Sequence, residues 1–440
     1  MRRDIDWVFW GSLFLLALFG LAAVASAASP LPHYGQILRR QIEALAAGFL
    51  VFGLAWRWPY PVYQGQAKLI YAVSLALLVL VLVVGASHKG HRSWIEFFHM
   101  TLQPSELARV GFIIVLADYL SRREKFMDRP AAVGGAVLLA IPVLFLILRE
   151  PDVSSALTFI PIILAMLFCA GARPAHLLGF LFWGSVSGGV ILSYLFFSAR
   201  YPGGEDAPWP AIFLMRAFHR VLPFAVSFAL PFALAAGWRR FAEFLGVRIR
   251  LARAMRWAAI AAFGFVCAVS ALHALKDYQK KRVIAYLVPE SHASGASYHS
   301  QQSKIAVGSG GLLGKGLFSG TQSRLGFLPE RHTDFIYAVV GEEAGFVGAM
   351  GLLLLYLLLI RRILVAAKAA PDRFGSLVCC GVAAMMGFEF LVNAGMCVGL
   401  NPVAGLPLPL VSYGGSSLLA TFWALGIVAN VYSRRLRMEF

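Results

Sequence analysis

The chain has 440 residues, of which 59% are hydrophobic and only 14% charged, and its mean hydropathy is +0.72. Soluble domains carry about 25% charged residues, so an ordinary water-soluble enzyme is excluded and a membrane protein is indicated. A formal net charge of +17, from 39 Lys and Arg against 22 Asp and Glu, would point to nucleic acid in a soluble protein, but here the basic residues sit in short segments between apolar runs. There they set orientation and meet anionic headgroups, and no nucleic-acid partner is expected.

Apolar stretches of the roughly 20 residues that cross a hydrocarbon core recur along the chain. They fall at 7–28, 41–57, 69–86, 104–120, 131–149, 154–171, 176–197, 214–237, 257–275, 334–360, 376–398 and 415–432. The reading is an all-α, polytopic membrane bundle of about twelve spans; the short alternating strands of a β-barrel are absent. Arg2 and Arg3 precede the first stretch as in a signal peptide, but its length and the spans that follow make it the first helix. An even count puts both termini in the cytoplasm. The inner loops then carry Arg122, Arg123, Lys125 and Arg129; Arg239 through Arg256; Arg361, Arg362, Lys368 and Arg373; and the tail Arg434, Arg435 and Arg437. The five cysteines, Cys169, Cys267, Cys379, Cys380 and Cys397, lie in apolar runs without CxxC spacing and read as core residues.

Residues 276–333 fall on the outer side yet carry Lys276, Lys280, Lys281, Arg282, Lys304, Lys315, Arg324 and Arg331. Topology does not explain cations there, and an anion to be bound does. Within this loop Gly308 to Gly316 is glycine-rich but matches neither a Walker A nor a GxGxxG pattern, since Ser309, Leu313 and Gly316 occupy the wrong places. Its amides are able to converge on an oxyanion beside Lys315, or the run is a tight turn.

Carboxylates at membrane depth are costly and mark function. Glu106 follows Gln103-Pro104-Ser105, where a first-turn acid also suits the helix dipole. Asp152 lies in the turn Glu150-Pro151-Asp152. Thr333 or Asp334 would cap the helix beginning Phe335-Ile336-Tyr337. Glu342 and Glu343 lie two turns deeper, where no capping role applies.

Four blocks in order now carry a resemblance. QPSELAR (103–109), EPDVSSA (150–156), residues 298–347 with GKG, GTQS and FLPERHTDF, and NAGMCVGLNPVAGLPLPLVSYGGSS (393–417) resemble the SEDS family of RodA and FtsW cell-wall polymerases, the elongation branch more than the division branch. The resemblance implies one SEDS-like integral membrane domain over 1–440 and a peptidoglycan glycosyltransferase that polymerises lipid II at the outer face of the bacterial cytoplasmic membrane. It implies a class B penicillin-binding protein transpeptidase and other elongation-complex proteins as partners. The acid of the family's HTDF motif, treated as essential, is Asp334; its QPD acid is Asp152 and its QPSE glutamate Glu106.

Glycan extension needs a base for the GlcNAc 4-hydroxyl and cations for the undecaprenyl pyrophosphate that leaves. Asp334 is the expected base, with Asp152, Glu106, Glu342 and Glu343 as supporting acids. Lys304, Lys315, Arg324 and Arg331 are the pyrophosphate candidates, joined by Arg109, Arg92, His332, Gln322 and Ser303 as further lipid II contacts. The metal is unassigned; Mg or Mn is the candidate helper.

Glu150 replaces the family's usual Gln, Ser93 replaces the Arg of an Arg-Trp pair, and Arg109 stands where Lys is usual. The family core has ten helices, so the surplus maps to an inserted helix pair at about 200–260, with 276–333 carrying the active-site region. A lipid II translocase and a non-catalytic scaffold are the alternatives. A translocase is expected to place polar groups at the midplane, and a scaffold needs neither Asp334 nor the cations.

Overall fold

Only helices satisfy the backbone inside hydrocarbon without a closed sheet, and the apolar runs are helical throughout the computed structural model. It describes residues 5–88, 91–97, 100–150, 152–201, 207–218, 220–245, 250–288, 295–328 and 330–435. The chain runs through α1 (Trp7–Ala28), α2 (Tyr34–Arg57), α3 (Tyr60–Gly65) and α4 (Ala67–Val84). Three short strands follow, β1 (Ala86–His88), β2 (His91–Phe97) and β3 (Met100–Leu102), antiparallel in the order β1-β2-β3. Then come α5 (Pro104–Arg122), α6 (Pro130–Arg149), α7 (Val153–Cys169), α8 (Pro174–Arg200), α9 (Trp209–Ala217), α10 (Val221–Phe244) and α11 (Leu251–Ala274). The rest is α12 (Asp277–Leu287), α13 (Ala296–Ser309), α14 (Thr321–Arg324), α15 (Ile336–Glu343), α16 (Gly345–Ala369), α17 (Arg373–Val398) and α18 (Gly415–Ser433).

Among the described residues nine helices are long and apolar enough to cross a membrane: α1, α4, α6, α8, α10, α11, α16, α17 and α18. The expected spans at 41–57 and 104–120 are the long helices α2 and α5, whose charged residues lower their hydropathy, and 154–171 is the 17-residue α7. Two expected spans are interrupted. The stretch 214–237 breaks between α9 and α10, and 334–360 breaks at Ala344, for a reason visible at the site below. The described part of the 276–333 segment carries three helices, α12, α13 and α14, with turns between α13 and α14 and after α14.

The chain forms two units, residues 173–298 and the remainder. The smaller packs α8 against α11, where the Ser187 hydroxyl donates to the Gly264 carbonyl at 3.0 Å, with Leu195, Phe218 and Leu272 at its core. Its α10 leaves Leu222, Leu230, Leu234 and Trp238 exposed, the surface a lipid-facing helix presents. The expected 200–260 insertion lies within this unit.

In the larger unit α5 and α17 are central and buried along most of their length. Contacts gather at two ends. At one, Arg362 pairs with Asp6 at 2.5 Å, Arg373 with Glu124 at 2.6 Å, and the Tyr60 hydroxyl donates to Asp372 at 3.0 Å. At the other, Ser26 meets Glu343, Gln103 meets Asp152, and Asn393 meets Asp334. Loops separated by an even number of traverses share an end, as alternating spans require. The described cysteines are all free, three of them buried.

Candidate functional site

The site is built on a tight turn before α15. The Glu330 carbonyl accepts from the amides of Thr333 (3.2 Å), Asp334 (3.1 Å) and Phe335 (3.3 Å), and Glu330 itself is left-handed at φ 48°. Non-glycine residues rarely adopt that conformation, and it clusters where function fixes the backbone. Three contacts lock the turn from outside. The Ser412 hydroxyl donates to the Thr333 carbonyl at 2.6 Å, the Tyr413 amide to the His332 carbonyl at 2.9 Å, and the Asn393 amide to the Asp334 carbonyl at 2.9 Å. The N-cap of α15 is Phe335 and no side chain caps it, so the expectation that Thr333 or Asp334 serves as a cap is corrected. Asp334 is half-buried at the rim of this turn, one residue before the N-cap of α15.

Ser303 and Lys304 reach the same end of α17. The Ser303 hydroxyl donates to the Cys397 carbonyl at 2.9 Å, and the Lys304 stem lies across Gly399, the left-handed C-cap of α17. Lys304 and Arg324 are exposed. The His332 and Tyr413 rings meet at a tilt of 59°, with centroids 5.3 Å apart. Arg331, in contrast, is buried: its guanidinium donates to the carbonyls of Ala27 and Ser323 and ties α1 to α14.

The glycine-rich segment does not cradle an anion. The Lys315 amide donates to the Glu342 carbonyl at 3.1 Å and the Gly316 amide to the Glu343 carbonyl at 2.9 Å, while the carbonyls of Gly311 and Leu312 accept from Phe346 and Val347. The loop takes the hydrogen bonds that would have continued α15 into α16, which explains the break at Ala344. Glycine is required because a Cβ on Gly314, at φ 80°, would lie 2.1 Å from the Glu343 carbonyl. Lys315 donates to Glu342 at 2.9 Å, and the same carboxylate accepts from Thr321 (2.9 Å), the Gln322 amide (2.8 Å) and the Ser323 amide (3.2 Å). Glu343 accepts from Ser26 at 2.5 Å. Both acids and Lys315 therefore staple the break, and Gln322 contributes its backbone to it.

Asp152 caps α7, accepting from the Ser155 amide (3.0 Å) and hydroxyl (2.6 Å), and receives Gln103 at 2.8 Å. Gln103 is linked through its own amide to Ser416 at 2.8 Å, joining α5, α7 and α18. Beside it Glu150 is 1% exposed with neither carboxylate oxygen hydrogen-bonded. Burial, and secondarily the Asp152 charge, push its carboxyl up to about 8. Ser93, the departure from the family's Arg, still donates, to the Glu150 carbonyl at 3.1 Å. Arg92 sits on β2 opposite Ser87, and its side chain lies outside the described part of the structure.

Glu106 does not serve the dipole alone. It pairs with Arg109, one turn on, and Arg109 pairs in turn with Glu389 of α17, all three nearly fully buried. Glu389 is the residue the sequence reading missed. Among the described residues no three His, Cys, Asp or Glu side chains converge on a point that would hold a metal ion.

The family model of FtsW, RodA and SpoVE cell cycle proteins matches residues 6–203 and 244–436 of the chain. The peptidoglycan glycosyltransferase MrdB of Escherichia coli K12 is 33% identical, over 96% of this chain and 92% of its own. A chain in a solved peptidoglycan synthase complex, described for its coordination of polymerization and crosslinking, superposes with a TM-score of 0.65 at 29% identity, covering 99% of each chain. The crystal structure of the Thermus thermophilus rod shape determining protein RodA gives 0.59 at 28% identity, covering 98% of each.

Proposed function

Since this chain belongs to the FtsW, RodA and SpoVE family of cell cycle proteins, a set of multi-pass membrane proteins, we propose that it is a peptidoglycan glycosyltransferase that polymerises lipid II during cell elongation. The observation that carries the reading is Asp334: a half-buried residue on a turn whose backbone is held by Ser412, Tyr413 and Asn393.

The Asp334 carboxylate takes the proton of the GlcNAc 4-hydroxyl as that oxygen attacks the MurNAc anomeric carbon. The new glycosidic bond forms as the bond to undecaprenyl pyrophosphate breaks, and the electron pair leaves on the pyrophosphate oxygen. Lys304 and Arg324, the exposed cations, meet that charge; Arg331 and Lys315 act one layer back, holding the scaffold. Among the described residues no group of three His, Cys, Asp or Glu side chains would hold Mg or Mn, and no step is routed through either. The positive-inside rule favours the cytoplasm for the Asp6 end, with its short basic loops, and so the outer face for Asp334. A class B penicillin-binding protein is the partner this reading implies.

The test is glycan polymer from purified protein and lipid II, with and without a co-expressed transpeptidase, comparing wild type with Asp334→Asn. Asn is nearly isosteric, so the turn survives. Polymer from wild type and none from a variant of unchanged Tm supports the reading; equal polymer from both removes Asp334 as base. Polymer from neither, with the partner present, returns the choice to a lipid II translocase or a scaffold.

A further inference from the structure

The end of the larger unit opposite Asp334 holds a cavity of about 910 Å³, and glycosyl transfer makes no use of it. Its wall is the last two turns of α16. Arg361, Val365 and Lys368 recur there at i, i+4 and i+7 and so share one face. Across from them Arg373, at the start of α17, pairs with Glu124 at 2.6 Å, and Asp372 is spent on capping Gly375 at 2.7 Å. Among the described residues Arg361 and Lys368 have no acidic partner, and both are exposed.

We propose that this cavity binds an anionic phospholipid, its phosphate held by Arg361 and Lys368 and its first acyl carbons lying on Leu364 and Val365. Two observations and a general precedent favour a lipid over a free anion or an acidic peptide. The volume lies in the range of small-molecule sites. The wall sets Leu364 and Val365 between Arg361 and Lys368 at the end of a membrane span, apolar and cationic side chains side by side as at a headgroup boundary. Basic pockets between spans are recurrent lipid headgroup sites. Cations that serve orientation alone need no cavity beside them. The inference is independent of the glycosyltransferase reading.

The full chain, purified in detergent and stripped of lipid, is titrated with phosphatidylglycerol, phosphatidylcholine or inorganic phosphate, and bound lipid is counted by native mass spectrometry. Phosphatidylglycerol is expected to bind tightest. The pair Arg361→Gln and Lys368→Gln should weaken it by tenfold or more, on the order of two surface cations' attraction, whereas Arg253→Gln with Arg256→Gln on α11 leaves it unchanged. The charge-keeping pair Arg361→Lys and Lys368→Arg should retain binding and guards against a folding defect, which Tm also reads. Equal losses from both neutralised pairs, equal binding of phosphatidylcholine, or displacement of the lipid by millimolar phosphate would each overturn the proposal.

Discussion

The Asn393 side-chain amide donates to the Asp334 carbonyl at 2.9 Å and to the Leu406 carbonyl at 2.7 Å. One buried side chain on α17 thus fixes the turn that presents Asp334 to the segment between α17 and α18. Ser412 and Tyr413 close the same joint from the other side. The carboxylate's position is determined by residues some 60 to 80 places further along the chain.

Asn393→Leu, which keeps the volume but removes both donors, should leave the buried Leu406 carbonyl and the partly buried Asp334 carbonyl without this donor, at up to about 1–3 kcal/mol for the buried one. A base displaced by a fraction of an ångström or more loses up to about 100-fold in rate. The expected outcome is a Tm lowered by several degrees and polymerisation reduced far more than lipid II binding. Unchanged turnover in a folded variant would show that Asp334 is held by other means.

Glu150 gives a pH dependence of known sign. Burial and the Asp152 charge raise its carboxyl to about 8 in the folded protein, so the folded state holds a proton that the unfolded chain releases near its ordinary value. Stability therefore falls as pH rises through the window from about 4.5 to about 8 and is flat above it, with a total effect on the order of 4 kcal/mol. Glu150→Gln is neutral throughout and should remove that slope. Thermal melts in detergent between pH 5 and pH 8.5 should show the two proteins close together at the acid end and the variant more stable at the alkaline end.

The staple across the α15 to α16 break makes a coupling testable by a double-mutant cycle. Glu342 has four donors, one of them Lys315. Glu342→Gln turns an amide nitrogen toward donors and strands Lys315, a loss of roughly 2–4 kcal/mol. Lys315→Met alone should cost less, because three donors still serve the carboxylate. The double variant should lose less than the sum of the two single losses by about 1 kcal/mol or more, read as ΔTm. Strict additivity would mean that the ion pair is incidental to the break.

The apolar runs are legible because hydrocarbon leaves the backbone one way to satisfy itself, and the motif blocks located Asp334, Asp152 and Glu106 before any geometry. The break at 344 was not legible, because a hydropathy window averages over Glu342 and Glu343, and the loop that replaces the missing helical bonds lies some 30 residues upstream. The same distance hid the fate of the glycine run: its spacing allows an anion nest, and only the fold shows its amides already taken. Glu389 stood in plain view as a lone carboxylate in an apolar run, but its partner Arg109 is on another helix. The strands β1 to β3 were not legible, because they are three, seven and three residues long and lie between long apolar helical runs.

The Glu106, Arg109 and Glu389 triad supplies the sharpest separation of stability from chemistry. Both carboxylates and the guanidinium are almost without solvent, so Arg109→Leu leaves two uncompensated acids facing each other, a loss of about 3–5 kcal/mol. Arg109→Lys keeps the charge but offers one point where a fork reached two helices, and should fall between. Neutralising all three, as Glu106→Gln, Arg109→Leu and Glu389→Gln, removes the desolvation penalty together with the attraction, and Tm should return to within a few degrees of wild type. Polymerisation should recover with it, because none of the three side chains bonds to the Asp334 turn. A triple variant that melts like wild type yet makes no glycan would instead place this buried charge within the reaction.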